Sequence, residues 1–406
     1  MKNYILKNGM KLIYKHTNSM LSSISIALDA GAIRDTKGKL GIAHATEHMI
    51  YKGTKNRSEA EINRGFSEIF GFQNAMTNYP YVIYYGTLLS EDLNKGIELY
   101  SDLLINTSLG VEGFEEEMKI IKEELKEWDE EVEQFCEDKL FFNCYEERRL
   151  KYPIIGTEES LDSITFMDVK EFYNKYYFPK NTTIVIVSSI NVKEVMKMVE
   201  EHFGVWNKDN KLLKEIENEK SKNIIYSNKK DGINTCKVLI TYDISHLNYE
   251  EIKILKILNQ YLGEGVNSLL FDTLRTKKAL VYDVLTKVSN EKHIGLYKIS
   301  FSTAEENIEE TLKCINDLFE NLEEKIKELS KEDIEGFIKS FKLKRLFNEE
   351  QSIRLSNAIA MYDIMFKNYQ VYLDEIENLN YITKKHFKYI NEKVFKEKSV
   401  EIITKN

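Results

Sequence analysis

The stretch Gly41 to Thr54, GIAHATEHMIYKGT, is the one on which the reading of this 406-residue chain turns. Coiled as a helix, it projects His44 and His48 from one face, and it sets Glu47 beside His48 and one turn from His44. Neutral imidazole nitrogens suit Zn²⁺, and a catalytic zinc needs about three protein ligands and one open position for water. A neighbouring carboxylate can then take a proton from that water. The alternative is that the two histidines merely cap or line a helix face. A chain with seven histidines presents some H-x-x-E-H match by chance in roughly one sequence in a hundred. The surroundings of the motif therefore decide.

Upstream, Tyr4-Ile5-Leu6 and Lys11-Leu12-Ile13-Tyr14 are split by Asn8-Gly9, a pair suited to a two-residue hairpin turn. Ser22 to Asp29, SSISIALD, alternates polar and apolar residues as a half-buried strand does. Downstream, Ser58-Glu59-Ala60-Glu61 has the spacing of a capping box and opens a helix reaching about Ile69. Asn74 to Leu88 reads as extended, and a helical zone follows from about Ser90 to Phe142, interrupted near Ser108-Leu109-Gly110. Ser163 to Tyr177 reads as helix and Thr182 to Ser188 as a buried strand. Residues 209–232, dominated by Lys, Asn and Glu, form the expected linker. A strand (Lys237 to Tyr242) and a long helix (Tyr249 to Leu262) then begin the pattern again, with no exact short repeat. The expected fold is α+β, with two related sandwich-like halves, 1–208 and 233–406, in which a sheet packs with helices.

Composition narrows the function classes. Apolar residues make up 42% and charged residues 30%, the balance of a folded protein. With 57 basic and 66 acidic side chains the net charge is −9, which disfavours attraction to nucleic acid or anionic lipid. No Gly-rich phosphate loop and no basic, aromatic-interleaved face is present. Cys136, Cys144, Cys236 and Cys314 are widely spaced, as small buried thiols in a reducing compartment would be. The opening MKNYILKNGMKLIYKH lacks a signal-peptide core, and no window reaches the roughly 18 apolar residues of a membrane helix. The expectation is a cytoplasmic protein without membrane or nucleic-acid partners.

The motif in its setting resembles the pitrilysin, insulinase and mitochondrial-processing-peptidase family of inverted zinc peptidases, whose helix reads G-x-x-H-x-x-E-H-M-x-F-K-G-T. The resemblance implies that His44, His48 and a glutamate about 76 residues further on, the second of a Glu-Glu pair, hold Zn²⁺. Ile120-Ile121-Lys122-Glu123-Glu124-Leu125 supplies that pair, and Glu124 lies 76 positions after His48. Glu117, seven before Glu124 and on the same helix face, stands where the family carries a supporting acid. Many carboxylates in the acidic stretch 112–138 are simply solvated surface. Asn74-Ala75-Met76-Thr77 resembles the family's N-A-x-T strand, whose edge binds extended peptide; this implies substrate roles for Asn74, Ala75 and Thr77. The family's Gly-Gly before that strand is Gly71-Phe72 here, and a frequently acidic position after it is Pro80.

Further along, Leu270-Phe271-Asp272-Thr273-Leu274-Arg275 and Leu280-Val281-Tyr282 resemble the segment L-F-x-x-L-R followed by G-L-x-Y, with Ala279 in place of the glycine. Arg275 and Tyr282 are thereby implied to hold the substrate carbonyl and stabilise its developing charge. On local pattern alone Arg275 reads as a surface residue and Tyr282 as a half-buried strand residue. The resemblance extends through Gly156-Thr157-Glu158-Glu159-Ser160 and Phe172 to Asn181, and carries no diagnostic residue beyond about Asn290. It implies a zinc endopeptidase in which Glu47 deprotonates metal-held water. Large family members fuse four related domains, so two domains imply a chamber closed by a homodimer, or by a heterodimer with a related chain. A leader-processing peptidase and a non-catalytic partner subunit are the competing functions.

Overall fold

The computed structural model describes every residue except 147, 148, 211, 212, 214, 215, 217 and 218. Two compact units emerge, and both are discontinuous in sequence. The first comprises Met1–Lys126, Tyr152–Glu215 and Asn348–Tyr372; the second comprises Glu127–Lys151, Ile216–Phe347 and Leu373–Asn406.

The first unit is built on a six-stranded sheet of β1 (Lys2–Ile5), β2 (Lys11–His16), β3 (Leu21–Leu28), β4 (Phe70–Thr77), β5 (Val82–Leu89) and β6 (Thr182–Ser188). Its order is β1-β2-β6-β3-β5-β4, with β2 and β6 parallel and all other neighbours antiparallel. Between β3 and β4 lie α1 (Ile42–Ile50) and α2 (Glu59–Ile69), and between β5 and β6 lie α3 (Leu93–Ile105) and α4 (Phe114–Glu130). The capping box at Ser58 is formed in both directions, which fixes where α2 starts. The hairpin at Asn8-Gly9 departs from expectation. Leu6 N–H donates to Met10 O, so the turn is the three residues Lys7-Asn8-Gly9, with Gly9 at φ +88°.

The second unit repeats this plan. Its sheet contains β7 (Ile225–Lys230), β8 (Cys236–Asp243), β9 (Asp283–Glu291), β10 (Ile294–Thr303) and β11 (Lys398–Lys405), in the order β7-β11-β8-β10-β9. β7 and β11 are parallel and the rest antiparallel. Matching β2 with β7, β3 with β8, and so on to β6 with β11 reproduces order and direction, so the repeat lies in topology rather than in residues. The core of this unit joins Val238, Ile240, Tyr297 and Ile299 of the sheet to Leu255 and Leu258 of the helix Tyr249–Leu262. β7 occupies residues assigned to the linker, because its backbone pairs with β11; residues 211, 212, 214, 215, 217 and 218 of that linker lie outside the described residues.

The units do not follow the linear halves 1–208 and 233–406, and the reason is an exchange of helices. The helix Ser352–Phe366 packs on β3, β5 and β6 of the first unit, while α5 (Val132–Cys144) packs on β7, β8 and β11 of the second. Both contacts are polar as well as apolar. Ser25 bonds Ser356 at 2.7 Å, and the Asp363 carboxylate accepts from Lys11 and Thr183 at 2.8 Å each. Lys298 reaches Glu137 of α5 at 2.6 Å. This corrects the half-buried reading of SSISIALD: every residue from Ser22 to Leu28 is buried, because a second layer covers the serine face.

Candidate metal centre

α1 is short, and its start is set by the loop before it. The Asp35 carboxylate accepts from the N–H groups of Gly41 and Ala43, at 2.6 and 3.0 Å, placing negative charge at the helix N-terminus. Gly41 sits at φ +88°, and a Cβ there would lie 2.2 Å from the Ile155 carbonyl oxygen, so only glycine fits. Ile42, Ala45, Met49 and Ile50 are buried, which turns the opposite face, carrying His44 and His48, outward. Glu124 comes from α4.

His48 Nε2 lies 3.5 Å, and His44 Nε2 3.9 Å, from Glu124 Oε2. Ligand atoms of the three residues lie within 4.8 Å of one another. Tetrahedral Zn²⁺ at its usual ligand distances separates ligand atoms by about 3.3 Å, and the two histidine–Glu124 separations exceed that by only about 0.2 and 0.6 Å, so the donor set suits the metal. No other group of three or more His, Cys, Asp or Glu among the described residues is so arranged. Burial, with a lesser contribution from His48, pushes the His44 pKa down to about 3, so its imidazole is neutral, as ligation requires. The register of the Glu-Glu pair is plain: Glu123 points away to pair with Lys126 at 2.7 Å, and its side chain is 69% exposed.

Glu47 is buried beneath the histidines, and burial raises its pKa against the opposing hydrogen bond from Thr77. That bond, Thr77 Oγ1 to Glu47 Oε2 at 2.6 Å, gives Thr77 a role the sequence reading did not assign. Its hydroxyl is committed to Glu47 rather than presented to a peptide. Asn74 and Ala75 stand on β4, the outer strand of the sheet, and the Ala75 N–H is taken up by Asn74 Oδ1 at 2.8 Å. Glu117 accepts from His48 Nδ1 at 2.8 Å through Oε1 and from Lys52 Nζ at 2.9 Å through Oε2. The His48 bond first, and then Lys52, overcome partial burial and hold the Glu117 pKa down to about 2. Lys52 was not singled out from sequence. Its place in the K-G-T end of the motif was the available signal.

Arg275 and Tyr282 belong to the second unit and are brought together there. The wide helical turn Asp272–Lys277 and a left-handed Ala279, at φ +52°, fold Arg275 back so that its guanidinium lies 5.7 Å from the Tyr282 ring centroid and 4.9 Å from that of Phe271. Ala279 thus adopts the conformation for which the family uses glycine. Tyr282 is 80% exposed just before β9, unlike a half-buried strand residue.

Residues 11–158 match the profile of the family described as Insulinase (Peptidase family M16), and residues 163–341 match that of the Peptidase M16 inactive domain. The chain is a two-domain member of peptidase family M16. This M16 chain is 27% identical over 345 residues to a Bacillus subtilis protein named uncharacterized zinc protease YmxG, covering 82% of this chain and 83% of the relative. It is 28% identical over 200 residues to the mitochondrial-processing peptidase subunit beta of Blastocladiella emersonii, across 49% of this chain and 43% of that one. The crystal structure of a protease from Helicobacter pylori shares the fold, with a TM-score of 0.89, 20% identity and 99% coverage of both chains. All four cysteines are buried and unpaired, and among the described residues no helix is long and apolar enough to cross a membrane.

Proposed function

We propose that this M16 protein is a zinc-dependent endopeptidase acting on peptides and short unfolded segments, with His44, His48 and Glu124 as protein ligands and Glu47 as general base. The reading rests on the convergence of the three ligand residues one position from a buried carboxylate. Bound there, Zn²⁺ supplies acidification of water and polarisation of a carbonyl. Glu47 takes the proton of the attacking water and later returns it to the departing amine. Thr77 holds Oε2, so the transfer falls to Oε1. β4, the outer strand that carries Asn74 and Ala75, offers its free edge to an extended peptide and orients it by strand addition, the Ala75 N–H itself being engaged by Asn74 Oδ1. Arg275 and Tyr282 hold the substrate carbonyl within a dimer enclosing a chamber.

The deciding experiment is cleavage of a mixed peptide library by wild type and Glu47→Gln, with zinc content measured on both. The expected result is hydrolysis by wild type and its loss in a fully zinc-loaded Glu47→Gln protein. A zinc-loaded Glu47→Gln that still cleaves removes Glu47 from its role. Hydrolysis confined to one sequence would favour a dedicated leader-processing peptidase; the Blastocladiella relative is named as a subunit of a processing peptidase. An inert wild type would favour a partner subunit. Light scattering on the purified chain should give twice the 47.6 kDa protomer mass; a monomer that cleaves peptides would exclude the homodimer.

A further inference from the structure

The two histidines at the centre are not equally supported. His48 Nδ1 is bonded to Glu117, whereas His44 Nδ1 is buried without a hydrogen-bond partner. A ligating imidazole is aimed by what its second nitrogen meets, so the aim of the pair depends on Glu117. Glu117 in turn spends one carboxylate oxygen on His48 and the other on Lys52.

We propose that Lys52 is a positioning residue for the metal centre: it fixes the Glu117 carboxylate and, through it, the angle at which His48 faces the ion. The proposal rests on the zinc reading above. Lys52 follows α1 by two residues, and its ammonium lies 2.9 Å from Glu117 Oε2 of α4 and 2.9 Å from Glu59 Oε1 at the start of α2. It therefore ties the end of α1 to α2 and α4 beside His48, the one histidine of the pair whose second nitrogen is bonded. Its side chain is 17% exposed and that of Glu117 is 10%, so the pair is largely shielded from water and holds one geometry better than a surface pair would. Gly113, at φ +78° before α4, makes room for the lysine stem; a Cβ there would come within 2.9 Å of Lys52 Cε.

Two effects of removing Lys52 oppose each other. A lost cation near Zn²⁺ favours the metal by simple Coulomb attraction. However, this ammonium is already matched by two carboxylates, and without it Glu117 and Glu59 repel each other across the gap. Glu117 then moves, and His48 loses its aim. The positional effect prevails because it acts on a direct ligand, whereas the Coulomb effect is offset locally by the same two carboxylates.

The test is the zinc dissociation constant of the full chain by chelator competition, together with the visible spectrum of the Co²⁺-substituted protein as a readout of ligand geometry. Lys52→Met should bind zinc about tenfold more weakly, the lower end of the range for lost outer-shell support, and should shift the Co²⁺ bands. Lys52→Arg, which keeps charge and can bridge both carboxylates, should recover most of the affinity. Wild-type affinity and spectrum in a folded Lys52→Met overturn the proposal, as does tighter binding. If Lys52→Met fails to fold, Lys52→Gln, which keeps a shorter stem and a donor, should show a smaller loss in the same direction, and unchanged affinity there overturns it equally. A wild-type chain that takes up no zinc sinks the zinc reading and this proposal together. Zinc uptake lost in His48→Ala but untouched in both Lys52→Met and Lys52→Gln sinks only the role of Lys52.

Discussion

Thr77 shows how much of the centre depends on one hydroxyl. It donates a 2.6 Å bond to a buried carboxylate, and a hydrogen bond to a charged acceptor contributes roughly 1.5–3 kcal/mol. Thr77→Val keeps the shape and removes the donor, leaving Glu47 free to turn. We expect kcat to fall about tenfold, the equivalent of ~1.4 kcal/mol, while zinc stoichiometry stays at wild type. An unchanged kcat would mean that Glu47 is held by other means. At the residue scale the histidine spacing is legible in sequence as a property of one helix, whereas Glu124 is preferred to Glu123 on the family's spacing and the structure turns the two to different sides of α4. The Thr77 bond spans 30 residues, and no local period encodes it.

At the scale of elements, the joint between α4 and α5 carries a pH-sensitive contact. Trp128 of α4 donates to Asp138 of α5 at 2.7 Å, and burial, outweighing that bond and one from Gln134, raises the Asp138 pKa from 3.8 to about 6. A raised carboxyl pKa favours the folded state when the group is protonated. That contribution is complete below about pH 3.8 and is lost as pH rises through about 6. In the Asp138→Asn variant, the difference in unfolding free energy between pH 4 and pH 7 should shrink by up to ~3 kcal/mol. Urea titrations at the two pH values provide the measurement, and equal pH dependence in both proteins would show that Asp138 does not carry the effect. The element scale is also where pattern misleads. SSISIALD alternates as a one-faced strand, yet its serines find Ser352 and Ser356 on the helix Ser352–Phe366, more than 300 residues away. Hydroxyls are small and can be satisfied in pairs, so a buried face can look polar in sequence.

For the molecule as a whole, the exchange of helices makes each unit depend on a segment from the other half of the chain. A fragment of residues 1–208 would lack the helix that covers β3, β5 and β6, leaving Ser23 and Ser25 with an exposed face and Lys11 and Thr183 without Asp363. We expect that fragment to unfold without a cooperative transition, and co-expression with residues 348–372 to restore one. A cooperatively folding fragment alone would show that the covering helix is dispensable. The matched strand order of the two sheets accounts for a chain whose second part matches the Peptidase M16 inactive domain. The helix Tyr249–Leu262 lies between β8 and β9 as α1 lies between β3 and β4, but it bears no histidine.

What the sequence determined by itself was the helix that sets His44 and His48 on one face and the α+β class, because helical spacing and capping are set by residues a few positions apart; Glu124, 76 positions on, is implied by the family resemblance. Only the tertiary structure decided that residues 348–372 belong to the first unit and 127–151 to the second, and that the GIAHATEHMIYKGT motif extends through Lys52 to Glu117 and Glu59. Those choices depend on which surfaces remain to be covered after each sheet has formed, and on where a cation can sit between two carboxylates. Such contacts join positions with no shared period, so they become visible only when the chain is folded.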